Sequence, residues 1–218
     1  LGRLGQWRRA SFSAEQPAIS LSNAQNTKSL LDDALVKKEQ QKFAEGIKLC
    51  EQAIAIDSTL IDAYFYKAGF HTALINKQNA GADYKNYKAA IADYSKVIEL
   101  YPKHTKAFFY RGGAHDAMGF IDEALIDYKK SIETDEKQSE VYNSMGVCYA
   151  KKGNVDLALS YFEKAIDFNP NYGKAYANKG NVYDMKQDLK NACENWKKAI
   201  ELGYTGNQRR YLAKCKQN

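Results

Sequence analysis

Gly112, Gly146 and Gly180 stand 34 residues apart, and so do Ala124, Ala158 and Ala192. Two independent residue series sharing one period define a repeating unit of that length. Other slots keep the same step. One aromatic series reads Phe108, Tyr142, Tyr176, and a later one reads Tyr94, Tyr128, Phe162, Trp196. A small-residue series reads Val97, Ser131, Ala165, Ala199 at that step, with Ala53 standing 44 residues before Val97. Small residues recur where two helices of a hairpin must approach closely, and aromatics fill the gaps beside them. A stack of such hairpins grows by adding units and leaves a long concave wall, a shape suited to holding another chain.

The clearest unit is Ser139–Tyr172, with Tyr142, Gly146, Tyr149, Gly153, Ala158, Phe162, Ala165 and Pro170. It resembles the tetratricopeptide repeat. The resemblance implies an all-α fold, a right-handed α-solenoid of antiparallel helix hairpins (the tetratricopeptide superhelix). Five copies follow at 27–60, 61–104, 105–138, 139–172 and 173–206, together about four fifths of the chain. The first is degenerate, with Lys37 and Gly46 where Tyr149 and Ala158 stand in the fourth. The second carries ten extra residues around Ile75–Tyr87, since Ala68 to Ala90 spans 22 positions against 12 for Gly112 to Ala124. Those residues read either as added helical turns with a longer loop or as a raised rim bearing Tyr84 and Tyr87. Residues 207–218 read as a capping helix, which an array needs because its last unit otherwise exposes an apolar face. Residues 1–26, rich in Gly, Ser, Gln and Asn without sustained apolar periodicity, read as a polar extension, flexible or held by a partner.

The net charge of +6 sits at the ends. Arg3, Arg8 and Arg9 open the chain, and Arg209, Arg210, Lys214 and Lys216 close it. Taking these three and four charges from the total leaves −1 for residues 11–204. A nucleic-acid-binding solenoid would place cations on the repeated face, so no nucleic-acid partner is expected. No apolar run reaches the length of a membrane span. Cys50, Cys148, Cys193 and Cys215 lack metal-ligand spacing. Cys50 and Cys148 fall in packed slots. Cys193 and Cys215 lie on the last unit and the cap that covers it, as either two reduced thiols or a disulfide. A disulfide there implies an oxidising compartment.

Nothing in the sequence reads as catalytic machinery or a cofactor site. It has no G-x-S-x-G elbow, phosphate loop or H-E-x-x-H pair. Gly112, Gly113 and Gly119 fall mostly in repeat slots. His71 and His115 share one slot in consecutive copies and are placed to face each other across a repeat interface; with no third ligand evident, packing is the expected role. The chain is therefore expected not to be an enzyme, with no catalytic residue, cofactor or metal.

The resemblance places the first helix of each hairpin on the concave wall. It assigns inward positions to Phe65, Lys106, Phe109, Asp116, Asn143, Val147, Lys174, Asn181 and Asp184 as a peptide-binding set. Phe65 and Phe109 are the expected anchors, because an aromatic turned from the hairpin core wants a cover. The asparagine amides offer donor and acceptor to a peptide backbone. Of the clamp with which chaperone-docking relatives hold a C-terminal carboxylate, only Lys174 matches; Phe109, Gly113, Ser144 and Asn178 do not. The expected function is a protein–protein interaction scaffold or adaptor binding an extended segment. The alternative is a self-assembling subunit, a homo-oligomer whose N-terminal extension, with Trp7, docks into a neighbour. The terminal Ala192, Cys193, Trp196, Leu202 and Gly203 resemble bacterial members of the family, which implies a bacterial adaptor and leans towards the cell envelope.

Overall fold

The computed structural model describes residues 20–75, 80–135 and 137–216. Among them run eleven helices: α1 Leu21–Glu39, α2 Phe43–Ile56, α3 Ile61–Ala73, α4 Ala80–Leu100, α5 Thr105–Ala117, α6 Ile121–Thr134, α7 Ser139–Lys151, α8 Val155–Phe168, α9 Gly173–Met185, α10 Leu189–Glu201 and α11 Gln208–Cys215. No strand occurs among the described residues. The chain is an α-solenoid: each odd helix packs with the even helix that follows, and each pair packs on the next.

One contact recurs through the stack. A Cβ placed on Gly112 of α5 would lie 2.8 Å from the Tyr128 ring of α6. On Gly146 of α7 it would meet the Phe162 ring of α8 at 2.6 Å, and on Gly180 of α9 the Trp196 indole of α10 at 2.5 Å. The glycine and aromatic series are thus two halves of one joint, and each ring is almost fully buried. The degenerate first copy uses a different joint. Gly46 of α2 makes room for Phe70 of α3, whose ring would lie 2.9 Å from an added Cβ.

The tight turns inside hairpins share a second requirement. Gly119, Gly153 and Gln187, again 34 residues apart, adopt positive φ of 84°, 77° and 62°. Glycine takes that conformation without strain, whereas Gln187 carries a Cβ there.

Two boundaries differ from the sequence reading. Helix α1 begins at Leu21, capped by the Ser20 hydroxyl, which accepts from the Asn23 N–H at 3.2 Å. Six residues read as extension are therefore helical. Their side chains are mostly exposed, so no apolar periodicity marked them. Residues 1–19, including Trp7, lie outside the described residues. In the second hairpin α3 keeps the ordinary 13 residues while α4 reaches 21. The extra length extends the second helix from Ala80, with Tyr84 exposed on the added turns and Lys88 Nζ 5.6 Å from its ring centroid.

At the far end α11 closes the stack and is joined to α10 by a Cys193–Cys215 disulfide. Cys50 and Cys148 are free and buried, and burial pushes both thiols up to about 12.

Gly146→Ala is expected to destabilise the protein by about 1–3 kcal/mol through overpacking against Phe162, although alanine is the better helix former. Gly69→Ala, with nothing within 4 Å of the added Cβ, should be neutral or stabilising by up to about 1 kcal/mol. Chemical denaturation of both variants measures the contrast. Replacing Cys193 and Cys215 with serine should cost roughly 2–3 kcal/mol through the freedom regained by the chain between them. Amide exchange in α11 should rise in that variant.

Candidate functional site

Odd helices approach their odd neighbours, α1 with α3, α5 with α7 and α7 with α9, whereas even helices do not approach one another to the same extent. Helices drawn together lie on the inner side of a curved stack, so the odd helices form the concave wall. Two depressions occupy it.

The first is a pocket of about 270 Å³ lined by Leu35 and Lys38 of α1, Phe43 of α2, Phe65, Tyr66, Gly69, Phe70, Thr72 and Ala73 of α3, Tyr94 of α4 and Tyr110 of α5. Phe65 lies at its aromatic end, its ring centroid 5.8 Å from Tyr94, 5.9 Å from Tyr110 and 4.9 Å from His104. Tyr94 and Tyr110 stack at 5.9 Å. Gly69 leaves the wall open, with no atom within 4 Å of where its Cβ would be. A volume below the usual range for drug-sized ligands suits one large side chain better than a cofactor. The pocket continues into a shallower one of about 420 Å³ that shares Leu35 and Tyr66 and adds Lys28, Leu31, Asp32, Asp57, Leu60 and Asp62. The Tyr66 phenol is raised above its ordinary value, first by burial and then by the charges of Asp62 and Asp32. The mouth of the aromatic pocket is therefore electronegative.

The second depression, about 320 Å³, lies between α7 and α9 and is lined by Val147, Ala150, Lys151, Phe162, Asn178, Asn181, Val182 and Met185. It brings Val147 and Asn181 together, as the sequence pattern places them.

The structure uses the remaining expected site residues otherwise. Phe109 leans into its own hairpin, 6.0 Å from the Tyr128 ring and 5.2 Å from Tyr110. Its neighbour Tyr110, 44 % exposed, is the α5 residue that enters the aromatic pocket. Lys106 and Lys174 are exposed at the starts of α5 and α9. Asn143 is buried and accepts from the Asn178 amide at 2.9 Å. Asp116 pairs with Lys151 at 2.7 Å, and Asp184 with Lys214 at 2.6 Å. The Asn181 carbonyl oxygen accepts from Trp196 Nε1, Asn207 Nδ2 and Arg210 Nη1 at 3.1, 2.6 and 3.0 Å. These polar groups tie each inner helix to its neighbours. Asn181 and Asp184 in particular hold the cap α11, which takes the position that the first helix of another hairpin would take.

His71 and His115 do not face each other. His115 Nδ1 lies 3.1 Å from Asp127 Oδ2, and Arg111 grips the same carboxylate through Nε at 2.9 Å and Nη2 at 2.6 Å. Arg111 also reaches back to Ser95 Oγ at 3.0 Å. The preceding hairpin repeats the arrangement with Lys67, His71 and Asp93, at 3.0 and 3.9 Å from the carboxylate. Burial raises the Asp93 carboxyl above its usual range despite Lys67. The fourth copy places Met145, Tyr149 and Tyr161 in these three slots. The histidines thus belong to buried ionic joints inside hairpins. The signal was present in the 34-residue step from Asp93 to Asp127, which sequence reasoning passed over. No group of His, Cys, Asp and Glu able to hold a metal occurs among the described residues. No helix among them is long and apolar enough to cross a membrane.

Models described as tetratricopeptide repeat match residues 79–104, 139–172 and 161–194. No curated protein matches the chain. Solved structures share its fold at low identity. The structure of MamA from residue 41 to its end, from Desulfovibrio magneticus RS-1, superposes with a TM-score of 0.72 at 17 % identity, covering 84 % of this chain and 97 % of that one. Another MamA structure gives 0.69 at 20 %, covering 86 % and 96 %. YrrB, a tetratricopeptide protein with an unusual peptide-binding site, gives 0.67 at 20 %, covering 90 % and 95 %.

Asp127→Ala should cost about 3 kcal/mol, because it leaves Arg111 half-buried without its partner. Installing the fourth copy's set in the third, Arg111→Met with His115→Tyr and Asp127→Tyr, should cost less than that single change. Urea unfolding of the two proteins compares them.

Proposed function

The chain belongs to the tetratricopeptide-repeat family, and we propose that it is a non-catalytic scaffold whose concave wall holds an extended segment of another protein. The observation that carries this reading is the aromatic pocket between α1, α3 and α5. Phe65, Tyr66, Phe70, Tyr94 and Tyr110 surround a space that the chain's own side chains leave open at Gly69. Apolar surface of this kind gains from being covered, and aromatic pockets concentrate binding energy. A bound segment inserts one large apolar side chain there and runs along the odd helices towards the α7–α9 depression. Val147, Asn178 and Met185 meet it in that depression, and Lys106 and Lys174 flank its path.

Within this reading Phe65 keeps the anchor role and Tyr110 takes the place first given to Phe109. Asn143, Asn181, Asp116 and Asp184 act indirectly by setting the spacing of the inner helices. Phe109 does so as well, by supporting Tyr110.

Selection of random twelve-residue peptides on the immobilised protein tests the proposal. Selected peptides should bind Gly69→Leu at least about tenfold more weakly, about 1.4 kcal/mol, because leucine fills the pocket. Lys129→Ala with Glu123→Ala, on the outer face of α6, should leave affinity unchanged. Peptides insensitive to Gly69→Leu but lost in the α6 variant would move the site to the outer surface.

A further inference from the structure

We infer that the groove selects a cationic segment of a partner protein: an aromatic side chain enters the pocket between α1, α3 and α5, and an arginine or lysine two residues away meets Asp32 and Asp62. The inference rests on the reading of the concave wall as a binding surface, and it names the chemistry of what binds there. Charge, spacing and the size of each contribution carry it.

The charge beside the pocket is one-sided. The aromatic pocket opens through Leu35 and Tyr66 into the shallower mouth, which carries Asp32, Asp57 and Asp62 against Lys28 alone. Asp57 is already engaged by the N–H and hydroxyl of Thr59 at 2.8 and 2.7 Å. Asp32 and Asp62 are exposed and form no ion pair with a described residue. Lys28 precedes Asp32 by four positions on α1, the weaker order for a helical ion pair. Asp62 stands in the first turn of α3, where a carboxylate complements the helix terminus. Asp32, in the middle of α1, has no such partner. Both charges bear on one spot: the Tyr66 phenol is raised first by burial, then by Asp62 and Asp32. Lys38, at the far end of the pocket, lies in the last turn of α1, where a cation complements the opposite terminus.

Spacing sets where the partner's cation must stand. Along α1 the lining residues run Asp32, Leu35, Lys38, and along α3 they run Asp62, Tyr66, Phe70. On both helices the carboxylate comes one turn before the residue shared by the two depressions, and the pocket lies beyond that residue. One turn is about 5 Å along the axis. In an extended segment, alternate residues share a face and lie about 7 Å apart. A ring seated in the pocket therefore brings the side chain two positions away over Asp32 and Asp62, whereas the side chain next to it points to the other face. Arginine suits the pair best, because its planar fork carries enough donors for two carboxylates.

The two contacts contribute unequally. The ring meets Phe65, Tyr94 and Tyr110 and leaves water, so it supplies most of the affinity. A cation against exposed carboxylates gains little in high dielectric. It acts instead on the choice of partner, since a segment with an acid in that place is repelled.

The experiment selects phage-displayed random twelve-residue peptides on the full chain, on Gly69→Leu, and on Asp32→Asn with Asp62→Asn, each first shown to be folded by circular dichroism. Peptides selected on wild type should be enriched in an aromatic residue with Arg or Lys two positions away. On the aspartate variant the aromatic should persist and the basic enrichment vanish; on Gly69→Leu both should vanish. A synthetic copy of the most enriched peptide, titrated on wild type by fluorescence anisotropy, separates the contributions without altering the protein. Replacing its aromatic with alanine should weaken binding at least about tenfold. Replacing its basic residue with alanine should weaken binding about threefold to fivefold at about 0.05 M NaCl, a loss that disappears at about 0.5 M. Three results overturn the inference and leave the scaffold reading standing: aromatic enrichment without basic enrichment, enrichment in acids, or basic enrichment that survives in the aspartate variant. Peptides indifferent to Gly69→Leu, or no peptide above background, would sink the scaffold reading with it. Sedimentation of the unliganded chain supplies the remaining outcome: self-association abolished by Gly69→Leu would make a second copy the occupant and overturn the cationic partner.

Discussion

An aromatic ring lying on a bare glycine Cα is the joint on which this solenoid depends. Tyr128 on Gly112, Phe162 on Gly146 and Trp196 on Gly180 let the two helices of the third, fourth and fifth hairpins approach closely. Each hairpin then packs on the next. Two helices joined by a short turn cannot bury enough apolar surface alone, so every unit depends on its neighbours. The same dependence explains α11. Without a following hairpin, Trp196 and Asn181 would face water, and the cap supplies Asn207, Arg210 and a disulfide to close that end.

The polar groups of the wall divide by how they are satisfied. Asn143 with Asn178, Asp116 with Lys151 and Asp184 with Lys214 bridge consecutive inner helices at separations of 30–35 residues. Buried or half-buried polar atoms must find partners, and in a repeat array the adjacent unit is the nearest source. What remains unsatisfied among the candidates is mostly apolar and lies at the other end: the aromatic pocket, its open glycine and the two unpaired aspartates beside it. Uncovered aromatic surface is thereby concentrated between α1 and α5, while most polar groups of the α7–α11 half hold its own geometry.

The ionic joints in the second and third hairpins show how one slot set accepts two chemistries. Arg111, His115 and Asp127 fill the space that Met145, Tyr149 and Tyr161 fill one repeat later. A buried carboxylate is tolerated because Arg111 meets it with two parallel N–H donors. In the preceding hairpin Lys67 meets Asp93 with a single ammonium, and burial still raises that carboxyl. Both sets hold the helices, and the uncharged one does so without the cost of burying an ion pair.

The period by itself determined the solenoid. Glycine, alanine and aromatic series at one spacing admit few packings, because small and large residues must interlock at every turn. The tetratricopeptide resemblance added the expectation of Phe65, Val147 and Asn181 on the inner wall, and left Cys193 and Cys215 as either two thiols or a disulfide. Only the tertiary structure decided which inner residues are free. Asn143 and Asn181 look alike in sequence to groove-lining amides, and their partners lie a whole repeat away or in the cap. Phe109 and Tyr110 are adjacent, yet Phe109 packs against Tyr128 and Tyr110 enters the pocket. Likewise the extra residues of the second hairpin lengthen α4 and not α3. Spacing fixes which face of a helix a residue occupies; whether another group already covers that face depends on how neighbouring units close on it.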